Sequence, residues 1–95
     1  MSLFVVKHEH SAETCPAGDP QMGPMLAQHV SGAGAEQFGL SLRGEAVVDG
    51  AHTLFLILEG EREKIDQFMA PFGQIGSVDV LPSSRCEQVV ARARC

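Results

Sequence analysis

A chain of 95 residues has room for one domain with its own core, and 44% apolar residues with one fifth charged argue against disorder along its length. Twelve acidic against seven basic side chains leave a net charge of −5 and only a small basic cluster, "ARAR", at the C-terminal end. With no Trp or Tyr for base stacking either, the expectation is no nucleic-acid partner.

No apolar run approaches the roughly 20 residues of a membrane helix. "MSLFVVKHEH" has neither a basic leader nor a small-residue cleavage site, so it reads as a first strand and the protein is expected in the cytoplasm. Three cysteines, Cys15, Cys86 and Cys95, are odd in number and far apart, which suits free thiols better than a disulfide framework.

In chain order, Leu3 to His10 alternates as a strand does, with Phe4, Val6, His8 and His10 on one side and Leu3, Val5, Lys7 and Glu9 on the other. "SAETCPAGDP" follows as a loop. Asp19 before Pro20 suits a helix start, although Pro24 delays a regular helix. Met22, Met25, Leu26, His29 and Val30 then form an inward helical stripe, which "SGAG" ends, with Gly32 at the left-handed cap position.

A second strand is expected from about Leu40 to Val48, a two-residue turn at Asp49-Gly50, and a third strand in "AHTLFLIL". Ile65, Phe68, Met69 and Phe72 mark a second amphipathic helix that Pro71 disturbs or ends, and "SVDVL" is a fourth strand closed by Pro82. The tail, 83–95, fits either a short helix or an added strand.

The order β-α-β-β-α-β predicts a single α+β domain over 1–95. Its core, about 2–82, would be a ferredoxin-like split βαβ with a four-stranded antiparallel sheet and two helices on one face. Both central strands are apolar on both sides over part of their length. The face without helices therefore needs a cover, and a second copy of the chain is the simplest one.

Two segments, "HEHSAETCP" and "DGAHTLFLILEG", carry a resemblance within this order of elements. Over about residues 2 to 82 the chain resembles the dimeric α+β barrel group of ferredoxin-like proteins. That group includes small monooxygenases, isomerases and many uncharacterised bacterial proteins, and the chain looks nearest to the last. Some relatives of these are described as binders of nickel or other transition metals. The resemblance implies a homodimer and a metal or small-molecule site, but the group's activities are too varied for fold to choose among them.

The residues themselves point the same way. His8 and His10 leave one face of a strand about 6.6 Å apart along the backbone, a spacing from which two imidazoles can lean towards one ion. Antiparallel pairing of the first and third strands sets His52 beside His10, and the loop after Ser11 can swing Cys15 over both. The expected metal ligands are therefore His8, His10, Cys15 and His52, with Glu13 as a substitute for Cys15 or an outer-shell acceptor. Such a set suits Zn²⁺, Cu²⁺ or Ni²⁺.

Against this stands the plain reading that histidines close strands because they are compact and polar. His29, on the helical stripe, is expected to be a core-edge histidine bonded to a carbonyl. Three functions follow: a metal-binding protein for storage, buffering or sensing; a small dimeric-barrel enzyme using His or a metal on an organic substrate; or an interaction module. The enzyme needs an apolar cavity between helix and sheet, for which Gly39, Gly44 and the small residues of "SGAGA" leave room. "GAG" at 32–34 is expected to lead into a strand, which makes it a poor phosphate loop.

Overall fold

The structure, a computed structural model, describes residues 2–95. Strands β1 (Leu3–His10), β2 (Ser41–Val48), β3 (Thr53–Glu59) and β4 (Gly76–Ser83) form one sheet in the order β2-β3-β1-β4. Every neighbouring pair is antiparallel. Helices α1 (Met22–His29), α2 (Gly32–Glu36), α3 (Arg62–Gly73) and α4 (Cys86–Ala91) complete an α+β fold compatible with the ferredoxin-like arrangement.

The period of two in the strands makes the core. Phe4 and Val6 of β1 and Leu54, Leu56 and Leu58 of β3 share one face, and they are buried in one cluster with Ile65, Phe68, Met69 and Phe72 of α3. Burying a side chain such as Phe68 or Leu56 contributes about 1.5–3 kcal/mol, so this cluster is what holds the central strands against the helices. Leu26 and Val30 bring α1 to its margin, and Ala35 brings α2.

Several boundaries differ from the expected ones. Ser31 caps a further helix, α2, where "SGAG" was expected to stop one: its Oγ accepts from Gly34 N–H at 3.0 Å and donates to the Gln28 carbonyl at 2.6 Å. "GAG" thus opens a helix of five residues and not a strand. The α1 stripe is also narrower than expected, for Met22 and Met25 are 41% and 68% exposed, which leaves Leu26, His29 and Val30 to pack on the core. Helix α1 begins at Met22, ahead of Pro24, because Asp19 Oδ1 accepts from Gln21 and Met22 N–H at 2.8 and 2.9 Å.

Pro71 lies inside α3, two residues before its end, where a missing N–H costs one bond of the last turn. Pro82 likewise lies inside β4, an edge strand that tolerates it. On the opposite edge, β2 carries a register shift between Leu42 and Gly44. The tail resolves as the short helix α4, whose Arg85 N–H donates to Gln88 Oε1 at 3.0 Å.

Candidate metal centre

The site lies where β1 ends and β3 begins. Glu9 pairs with Thr53 in the β1–β3 ladder, and His10 N–H extends the ladder by donating to the His52 carbonyl at 3.1 Å. The connection from β2 to β3 is longer than the expected two-residue turn, since Val48 pairs with Thr53 and residues 49–52 form the loop. Gly50 and His52 both have positive φ, 72° and 51°. A left-handed backbone at a non-glycine residue is uncommon. Here it sets the His52 ring beside His10, with ring centroids 5.3 Å apart.

Cys15 arrives by a separate route. A single 3-10 turn, Ala12–Thr14, folds the chain back after β1, with Thr14 N–H donating to the Ser11 carbonyl and Cys15 N–H to the Ala12 carbonyl. Thr14 Oγ1 donates to the Ile75 carbonyl at 3.1 Å, which pins this turn to the start of β4. Gly76, opposite His10 in the β1–β4 ladder, makes the approach of those strands possible, because a Cβ there would collide with the Glu9 carbonyl.

The outcome is that one donor atom from each of His10, Cys15 and His52 lies within 4.8 Å of the other two. It is the one such group of three among the described residues, and all three side chains are half-buried. Donors on one tetrahedral zinc stand roughly 3.4–3.6 Å apart, so sharing an ion asks each pair to close by no more than about 1.4 Å. Glu13, the expected substitute, is exposed and outside the group.

His8 does not join the donors. It is 2% exposed, its ring meets Phe72 edge-on, and its two nitrogens are engaged elsewhere. Nδ1 lies 3.0 Å from the Ser77 carbonyl and Nε2 lies 3.2 Å from Nδ1 of His10. A carbonyl only accepts, so His8 Nδ1 carries the proton. In the neutral ring His8 Nε2 then bears a lone pair and must accept, so His10 Nδ1 carries a proton too. In the neutral His10 ring that leaves a bare lone pair on Nε2, and Nε2 of His10 is the one buried side-chain nitrogen or oxygen without a partner among the described residues.

Burial, the largest cause, pushes both imidazoles below their ordinary titration range and favours these neutral forms. For His8 the bond to Ser77 opposes the shift, and the charge of His10 adds to it. For His10 the charge of His52 adds to it.

His29 fills the structural role expected of it, with Nε2 donating to the Phe68 carbonyl at 2.7 Å and the ring stacked on Phe68 at 4.2 Å. Cys86 and Cys95 are exposed free thiols outside the donor group. No helix is long and apolar enough to cross a membrane among the described residues.

His10, Cys15 and His52 line a cavity of ≈ 530 Å³ between α1 and the sheet, and none of Gly39, Gly44 and "SGAGA", where room for one is expected, lines it. Leu26, Ala27 and Val30 of α1 and Val47, Leu54 and Phe72 form much of the remaining wall. Val47 of β2, which pairs with the buried Leu54, is 60% exposed where it meets this space.

In comparisons with known proteins, no family model, curated protein or solved structure matches this chain.

Proposed function

We propose that this protein binds a transition-metal ion through His10 Nε2, His52 and the Cys15 thiolate, with His8 as an outer-shell group. The observation that carries the reading is that His10, whose Nε2 is buried without a partner, has a donor atom within 4.8 Å of one from Cys15 and one from His52. A buried nitrogen without a partner is costly in the free fold, and a metal ion supplies what it lacks. Two imidazoles and a thiolate suit Zn²⁺, Cu²⁺ or Ni²⁺ and not the oxygen-seeking Mg²⁺ or Ca²⁺. Storage, buffering or sensing of such an ion needs no more than this set.

A second reading, metal-assisted chemistry on an organic molecule, is favoured by the cavity. Three protein donors leave a fourth position for water or substrate, as catalytic zinc sites do.

The resemblance to dimeric α+β barrels supports a homodimer formed face to face. On the side of the sheet away from the core, Ile57, Val5 and Leu81 stand in one cross-strand row, with Ile57 40% and Leu81 49% exposed. Light scattering that reports a monomer at micromolar concentration would overturn the dimer and leave the metal reading untouched.

The test of the metal reading is elemental analysis of untagged protein purified without chelator, beside a His10→Ala/His52→Ala variant. About one equivalent of metal per chain, absent from the variant, is expected. No metal in either sample, and no tight uptake of added Zn²⁺, Cu²⁺ or Ni²⁺, would overturn it.

A further inference from the structure

We infer that the site accepts a small apolar molecule bearing one neutral nitrogen donor, the donor on the metal and the apolar body in the cavity. The inference rests on the metal reading and adds the chemical class of the ligand. Three features of the cavity carry it.

Its size comes first. About 530 Å³ is within the range of small-molecule sites and far more than an ion with one water requires. A protein built only to enclose a metal has no need of it.

Its walls are the second. Leu26, Val30, Val47, Leu54 and Phe72 offer only apolar surface, while His10, Cys15 and His52 gather the nitrogen and sulfur donors together. A ligand that satisfies both regions has a single coordinating head and an apolar remainder.

Charge is the third feature. The charged side chains lining the cavity are Glu45 and Asp49, and no Lys or Arg lines it among the described residues. An anionic head would meet two carboxylates with only the metal to offset them. A neutral head such as an imidazole or pyridine nitrogen meets no such opposition and coordinates the same metals.

The experiment uses Co²⁺-loaded protein, whose visible bands report coordination, titrated with 1-methyl-, 1-butyl- and 1-hexylimidazole and with hexanoate. Each methylene taken from water into an apolar cavity is worth up to about fourfold in affinity. The butyl compound is therefore expected to bind at least tenfold tighter than the methyl one, and hexanoate more weakly than hexylimidazole.

Val47→Trp and Ala27→Phe place bulk in the cavity from exposed positions. They are expected to erase the chain-length dependence while keeping one equivalent of Co²⁺. Failure to take up Co²⁺, with Zn²⁺, Cu²⁺ and Ni²⁺ also refused, would overturn the metal reading itself, and this inference with it. Stoichiometric Co²⁺ with equal affinity for all three imidazoles, or with hexanoate preferred, would overturn the inference alone. So would a chain-length dependence that survives both cavity-filling variants.

Discussion

Replacing His8 by Phe separates a ligand from a group that aims one. The side chain is buried beside Phe72, so a phenyl ring has apolar company, and the Ser77 carbonyl it releases belongs to an exposed residue that water can reach. What disappears is the acceptor 3.2 Å from His10 Nδ1. Without it the His10 ring is free to turn, and the place of its unpartnered Nε2 beside Cys15 and His52 is no longer fixed. Losing an outer-shell partner of this kind weakens metal binding by about 10–100-fold, or about 1.4–2.7 kcal/mol.

Competition for Zn²⁺ against a chromophoric chelator at pH 7.5 measures that loss directly. His8→Gln, whose amide oxygen can accept from His10, is expected to recover part of it. Affinity within twofold of the parent in His8→Phe would show that the His8–His10 bond does not orient the ligand. A loss beyond about a thousandfold, with altered Co²⁺ bands in both variants, would show instead that His8 is itself a ligand.

Three shorter predictions concern the same neighbourhood. His52→Gly removes a donor and also a side chain held at φ 51°. Metal affinity should fall at least tenfold while the metal-free protein stays equally stable or gains up to about 1 kcal/mol in urea denaturation; a clear loss of stability would contradict the strain argument. Gly76→Ala should cost about 1–3 kcal/mol, read from the urea midpoint, since its Cβ meets the Glu9 carbonyl and not a yielding side chain. Acidification should destabilise the metal-free protein: His8 and His10 titrate below their ordinary value when folded, so the unfolded chain binds more protons. Stability is then complete above about pH 6.5 and falls as the pH drops towards the folded values, with a smaller fall in His8→Phe; a Tm that rises on acidification from pH 7.5 to 5.5 would refute this.

Much of this arrangement was legible from the sequence, and the parts that were not share a physical cause. Alternation in "LFVVKHEH" fixes which side chains enter the core, and antiparallel neighbours then bring His10 to His52 without any knowledge of atoms. The roles of two histidines on one face are a different matter. His8 and His10 have the same chemistry and orientation, and only the Ser77 carbonyl, 69 positions away, turns one of them into a support for the other.

Capping at Ser31 is undecided by the local sequence for a similar reason. Ser31 followed by three small residues suits a helix start as well as a stop, and its bond to the Gln28 carbonyl decides the matter. Asp-Gly is a strong signal for a two-residue turn, yet the pairing of Val48 with Thr53 gives the β2–β3 loop four residues. A cavity between helix and sheet is expected from the small residues Gly39, Gly44 and "SGAGA", yet none of these lines it, because its walls come largely from α1 and the β2–β3 hairpin.

The two rims of the sheet bear on how the molecule can associate. An open strand edge is a template on which another chain can add a strand of its own. At one rim Pro82 leaves β4 with a position that has no N–H to offer, and at the other the register shift at Leu42/Gly44 breaks the even spacing of β2. Strand-by-strand growth is hindered from both directions, so the molecule is protected from fibril-like stacking even while a row of aliphatic side chains stands open on its flat side.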